Sequence, residues 1–255
     1  TFKRFKARAK GRGDRITIHN SSLLLPALRL TGGDAQMTFR DHWPIHGTGQ
    51  LAVSALTRQN LQPVAIRVQG PLDQLAVQGE SRWPDPLQLR GQVRPLDPGV
   101  PYVARLQWQN YHWPVAATQQ LYSRQGEAEL SGTLDGLSAQ VSTDLNGKNV
   151  PAGQYRLQAH TNWKGLQIGQ LDARILKGSL RAQGRLDWQQ GLQWTLHGQA
   201  SALDVRPLLP ESARTYVPAQ VSGPLTSRAD LQAQRSTLGL QIELDQGPRL
   251  LAGLA

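Results

Sequence analysis

"GRLDWQQGLQWTLHGQASALDVRPLLPE", residues 184–211, sets Leu186 and Trp188, then Leu192, Trp194 and Leu196, on alternate positions and ends at a proline-rich corner. Alternation at period two is the mark of a strand with one apolar face. Such a face needs cover. A second sheet, closure into a barrel or a bound ligand can each supply it, and which one does so decides what the protein does.

The same alternation recurs along most of the chain. It is read in "RITIH" (15–19), "VAIRVQ" (64–69), "LAVQ" (75–78), "LQLRGQV" (87–93), "QYRLQAH" (154–160), "LQIGQLDARI" (166–175), "SLRAQGRLDW" (179–188) and "LGLQIEL" (238–244). Gly, Pro, Asn or Asp separates most of these segments, which is turn chemistry between strands. Helical periodicity is poor. Its best local exceptions are "LDVRPLLPESARTYVP" (203–218), with room for one short helical turn, and "QQLYSRQGEAEL" (119–130). The expectation is an all-β chain of mostly antiparallel strands with very little helix, about 20 strands at the usual strand-and-turn length.

Composition supports many short elements: the 255 residues are 39% hydrophobic, with 25 Gly and 16 Pro. Cysteine is absent, which excludes disulfides, thiolate chemistry and Cys-ligated zinc. No apolar run reaches the roughly 18 to 20 residues of a membrane span. The net charge of +10 includes one cluster, residues 1–15, with seven basic residues against one acidic. Elsewhere Arg is scattered singly along strands, as on a wet sheet face, and the aromatics are not interleaved with Lys and Arg in one patch. That pattern argues against nucleic acid.

Degenerate internal repeats are present. "HWPI" (42–45) returns as "HWPV" (112–115), and "GPLDQLAVQ" (70–78) as "GTLDGLSAQ" (132–140) with a frayed copy in "GPLTSRADLQ" (223–232). These read as strand modules joined by loops of variable length. Large aliphatics mixed with small Ala and Gly on the apolar alternates suit a strongly bent sheet better than a thick, evenly packed sandwich.

The order of motifs over residues 126–211, namely "GTLDGL", "VPAG" before a strand, "LKGSLRAQGRLDW" and "GLQW" leading to "LDVRPLLPE", resembles the TamB family of AsmA-like proteins. The likeness extends over roughly residues 15–235. The resemblance implies a long sheet bent into a half-pipe, the β-taco, with an apolar interior groove. It also implies a periplasmic location in a protein anchored in the inner membrane, and phospholipid transfer towards the outer membrane, its acyl chains being the partner. A barrel of the Omp85 type, TamA, is implied for the larger protein, not through this segment. Assistance to the assembly of outer-membrane proteins or autotransporters is the alternative function. Under this reading residues 1–14 are a basic N-terminal segment or first strand, and 15–255 one elongated segment of a larger protein.

The groove-lining candidates are Ile16, Ile18, Ile66, Val68, Leu75, Val77, Leu87, Leu89, Leu157, Leu166, Ile168, Leu186, Trp188, Leu192, Trp194, Leu240 and Ile242. Their other use would be an ordinary dry sandwich core, and a single bulge would exchange the faces of all residues after it. Asp41, His42 and His46 have no carboxylate cluster beside them and read as turn and rim residues. No G-x-S-x-G, H-E-x-x-H or P-loop spacing occurs, so the reading is non-enzymatic, with no metal or cofactor. "RGD" (12–14) reads as a chance occurrence, and "NSS" (20–22) would be a glycosylation acceptor only in a eukaryotic secreted protein. The basic run could sit on anionic headgroups, with Phe2 and Phe5 dipping in. The seven tryptophans could serve as stacking platforms for a glycan, a further alternative.

Overall fold

The computed structural model describes residues 4–24, 28–53, 64–82, 85–113, 121–147, 150–162, 164–189, 192–208, 211, 220–232, 235–242 and 250–254. The chain divides into two units, Thr1–Leu134 and Asp135–Ala255.

The described residues of the first unit form nine strands: β1 Arg4–Arg12, β2 Arg15–Leu24, β3 Leu28–Thr38, β4 Ile45–Val53, β5 Val64–Gly70, β6 Leu75–Ser81, β7 Leu87–Val93, β8 Tyr102–Trp113 and β9 Leu121–Thr133. Each pairs antiparallel with the next in sequence, from β1 with β2 to β8 with β9. The described residues of the second unit form eight: β10 Gly136–Gly147, β11 Val150–Thr161, β12 Gly165–Ile175, β13 Gly178–Asp187, β14 Leu192–Leu203, β15 Val221–Gln232, β16 Arg235–Ile242 and β17 Leu250–Leu254. These too pair successively and antiparallel. The fold is all-β: in each unit an open antiparallel meander, as alternation joined by short turns dictates. Helix is confined to a 3-10 turn, Arg206–Leu208, in the proline-rich corner, together with the single helical residue Glu211, among the described residues. None of it is long or apolar enough to cross a membrane.

The weak helical signal within 119–130 does not prevail in its described part: from Leu121 onward the segment is β9, which pairs with β8 from Leu121↔Trp113 to Gly132↔Tyr102. Its Gly126, Ala128, Leu130 and Gly132 alternate towards Trp108, Leu106, Ala104 and Tyr102, and this non-local pairing outweighs a weak local helix signal.

Bulges or irregularities interrupt the registers of β1–β2, β2–β3, β3–β4, β10–β11, β11–β12, β12–β13 and β14–β15. Each bends its strand and increases the local twist. Turn geometry sharpens the reversals. Leu176 and Lys177 both adopt positive φ, 49° and 64°, in the two-residue turn between β12 and β13. Asn or Gly would fit there at lower cost. The strain is offset by packing: Leu176 lies against a small core of Ala173, Ile175, Ala200 and Leu203, and its carbonyl accepts from the Asp204 amide at 2.8 Å. This cluster is modest, and among the described residues no large side chain is fully buried.

Candidate functional site

Partners across an antiparallel ladder share a face, so the registers trace what each face carries. In the second unit one row runs through all eight strands: Val141, Leu157, Leu171, Ala182, Gly198, Leu225, Ile242 and Leu250. Beside it run Ala139–Ala159–Ile168–Gly184–Leu196–Ser227–Leu240–Ala252 and Leu137–Thr161–Leu166–Leu186–Trp194–Ala229–Leu238–Leu254. None of these positions is charged. The alternate row Ser142–Arg156–Asp172–Arg181–Gln199 is wholly polar.

The first unit repeats the arrangement by itself. Ala9, Ile18, Ala35, Gly47, Val68, Val77, Gly91, Ala104 and Leu130 form one row across its nine described strands. Gly49–Ile66–Gly79–Leu89–Leu106–Ala128 and Ser81–Leu87–Trp108–Gly126 lie alongside. The opposite row is Thr48–Arg67–Gln78–Arg90–Arg105–Glu129. Two open recesses in this unit, of about 380 and 700 Å³, are lined mostly by polar-row residues such as Gln36, His46, Arg67, Gln78 and Arg90.

Cover on the apolar face is partial. In β5, β7, β11 and β13 half-buried and exposed residues alternate almost without a break, and the half-buried ones are the apolar set. Small residues sit opposite large ones. A Cβ on Gly79 would lie 3.0 Å from Val64 and 3.2 Å from Leu89, and one on Gly184 would run into the Thr195 carbonyl and Leu196. The face is therefore crowded where strands meet, although it is not sealed from outside.

Of the sequence candidates, Ile16, Ile18, Ile66, Val68, Val77, Leu87, Leu89, Leu157, Leu166, Leu186 and Trp194 are half-buried at apolar-row positions, and Leu75 and Ile168 are buried at 8% exposure each. Trp188 lies just past the end of β13, 44% exposed, its amide donating to the Lys164 carbonyl at 3.4 Å. Leu192, Leu240 and Ile242 occupy register positions opposite Leu231, Ser227 and Leu225, and their side chains lie outside the described residues. The candidate list left out Leu196, although it is an alternate of the opening segment, and also Leu106, Trp108, Ala128, Val141, Leu171 and Leu180, which the same alternation finds.

Polar atoms near this face are satisfied within it. The Trp108 indole donates to Ser123 Oγ at 2.9 Å, and the Trp194 indole to Ser227 Oγ at 3.1 Å. Burial pushes the Tyr102 and Tyr155 hydroxyls up, so both stay neutral, and Tyr155 donates to the Pro151 carbonyl at 2.6 Å. Charge is confined to the other side and the rims. Arg105 pairs with Glu127 at 2.6 Å and Arg181 with Asp172 at 3.4 Å. In the corner after β14, Arg206 grips the nearly buried Asp204 through both carboxylate oxygens, at 2.8 and 2.9 Å. Those hydrogen bonds, with Arg206's charge and that of Lys177, hold the Asp204 carboxyl well below the usual carboxylate range.

The His and Asp residues flagged in the sequence do not converge. His42 lies 3.6 Å from Asp73, both exposed, while His46 sits in the polar row between Gln36 and Gln69. No group of three His, Asp or Glu side chains suited to a metal occurs among the described residues. The Arg12–Asp14 tripeptide is the β1–β2 hairpin turn, with Gly13 at φ 60° and the Asp14 carboxylate paired with Arg40.

No solved structure matches this chain. The family model described as "TamB, N-terminal domain" matches residues 1–246, nearly the whole length, and it meets a fold of the predicted class. The chain belongs to the TamB N-terminal domain family.

Proposed function

We propose that this chain is a non-enzymatic lipid-carrying segment, whose apolar sheet face holds phospholipid acyl chains while the polar alternates keep the other side in water. One observation carries the reading: an uncharged face runs strand after strand through each unit, and most of its large side chains stay half-covered, Leu75, Ile168, Ile175 and Leu203 being buried exceptions. A dry sandwich core would bury most such side chains beyond nine-tenths. Each acyl CH₂ withdrawn from water contributes about 0.8 kcal/mol, so a face with no polar anchor can still retain a lipid. With no charged residue along it, one stretch holds an acyl chain about as well as the next, and lateral movement meets low barriers.

Membership of the TamB family supports a role in translocation and assembly or lipid transport. It also supports work in the periplasm as part of an inner-membrane-anchored protein associated with TamA. Within that frame the segment serves as a conduit for phospholipid moving between the two membranes. Photo-crosslinking tests the face directly. A benzophenone side chain at Leu157 or Leu186 should capture phospholipid from cells, and one at Gln158 or Arg185, on the opposite face, should not. Equal capture from both faces, or capture of polypeptide alone at Leu157 and Leu186, would refute the lipid reading.

A further inference from the structure

We propose that the β1–β2 and β3–β4 turns together form an interfacial docking tip for anionic phospholipid bilayers. Between β3 and β4 the chain turns through Phe39 and Trp43, which are 41% and 49% exposed and pack edge to face at 5.6 Å. Two large aromatics presented to solvent side by side have no structural use on a wet loop. The backbone is strained to present them: His42 and Trp43 stand at φ 62° and 49°, a conformation uncommon for a bulky residue. The loop is held firmly, by Phe39 N–H to the Asp14 carbonyl at 2.7 Å, Trp43 N–H to the Arg40 carbonyl at 2.8 Å and Leu72 N–H to the His42 carbonyl at 2.9 Å.

The first of those bonds sets the aromatic loop beside the β1–β2 turn, where the cations Arg12, Arg15, Arg40 and Lys10 outnumber the carboxylates Asp14, Asp41 and Asp73. Arg12 and Arg15 face each other across the end of the ladder, a like-charge pair that opposes the hairpin. Arg40 adjoins them through Asp14, whose carboxylate it occupies. Two residues back along β1, on the same face and about 7 Å away, comes exposed Lys10. Edge-strand lysines ordinarily guard a sheet against pairing with another chain. That role does not explain two arginines directly opposed or the edge-to-face aromatics next to them. Aromatic rings at headgroup level with guanidinium groups among phosphates are the chemistry of an interfacial anchor, and Lys10 lies within a Debye length of such a surface.

Headgroup phosphate is the partner recognised here, so the inference does not depend on the acyl-chain reading of the sheet face. The test is co-sedimentation of the full chain with phosphatidylglycerol-containing vesicles against phosphatidylcholine-only vesicles. Two variants accompany it, Phe39→Ser with Trp43→Ser, and Arg12→Gln with Arg15→Gln, each checked by circular dichroism for an intact sheet. The wild type should bind the anionic vesicles and release with salt, and each variant should lose roughly tenfold or more in affinity. Brominated lipid should quench more fluorescence in the wild type than in Trp43→Phe, a readout that does not depend on the double variants folding. Equal binding by both variants, equal binding to neutral vesicles, or no quenching difference would overturn the proposal. A chain that retains extracted lipid but ignores vesicles would lose the tip and keep the carrying function.

Discussion

At the residue scale, the sheet face tolerates polar atoms only where a neighbour silences them. Trp194 and Ser227 illustrate this, since removing the hydroxyl leaves an indole N–H without its partner in a half-covered setting. Ser227→Ala should cost about 1 kcal/mol or somewhat more in urea unfolding, and Trp194→Phe in the same background should cost less than it does alone. Additive costs would mean that the bond contributes nothing. Gly184 is constrained from the other side. Any side chain there meets the backbone of β14, so Gly184→Val should destabilise by roughly 1–3 kcal/mol, whereas a substitution at exposed Gln183 should change little. Asp204 supplies a pH signature. Its folded pKa is depressed, chiefly by the Arg206 hydrogen bonds, so its contribution is fully present above the unfolded value near 3.9 and is lost as pH falls through the folded one. Acid unfolding followed by circular dichroism should steepen below about pH 4 in the wild type, and Asp204→Asn should flatten that limb. An unchanged limb would place the acid sensitivity elsewhere.

At the scale of the element, much was legible and the exceptions have physical causes. "LQIGQLDARI" breaks its own alternation between Ile168 and Leu171, and the ladder has a bulge at that place, with Gly184 and Ala182 opposite them. The irregularity keeps Leu171, Ala173 and Ile175 on the same side as Leu166 and Ile168. It follows that deleting Gly169 restores a regular strand without exchanging faces, and the variant should fold. Deleting Gln158 from β11, whose own alternation is regular opposite the bulged residues of β12, shifts Ala159 onto the polar side and should abolish cooperative unfolding. If the Gly169 deletion fails to fold and the Gln158 deletion succeeds, the face assignment is wrong. The local helical signal within 119–130 does not prevail because "YSRQGEAE" has little periodicity of either kind, and β8 decides its state. The Leu176–Lys177 turn and the Trp–Ser bonds left no signature in the sequence, since they depend on neighbours that only the fold supplies.

At the scale of the whole molecule, the two meanders share a design in which one face is uncharged throughout and half-covered. A charged pair placed on it separates two accounts of that design. Leu157→Arg with Leu186→Arg, both at half-buried positions away from the small core around Ala173 and Leu203, should abolish lipid retention and leave the β spectrum in place. Global unfolding would instead indicate a face that must stay dry for the chain to fold. The candidate site was legible as a pattern, because an uncharged alternation repeated this often is rare by chance. Its residue list was incomplete for two reasons: large alternates such as Leu106 and Val141 lie in segments whose alternation was not singled out, and small residues such as Gly184 and Gly198 belong to the face without looking hydrophobic.

The most direct test of the central claim is native mass spectrometry of the chain purified without detergent, with lipid extraction from the same sample. The account predicts phospholipid bound at one or more per chain, lost in the Leu157→Arg, Leu186→Arg variant. A rigidly folded wild-type chain free of lipid would contradict it.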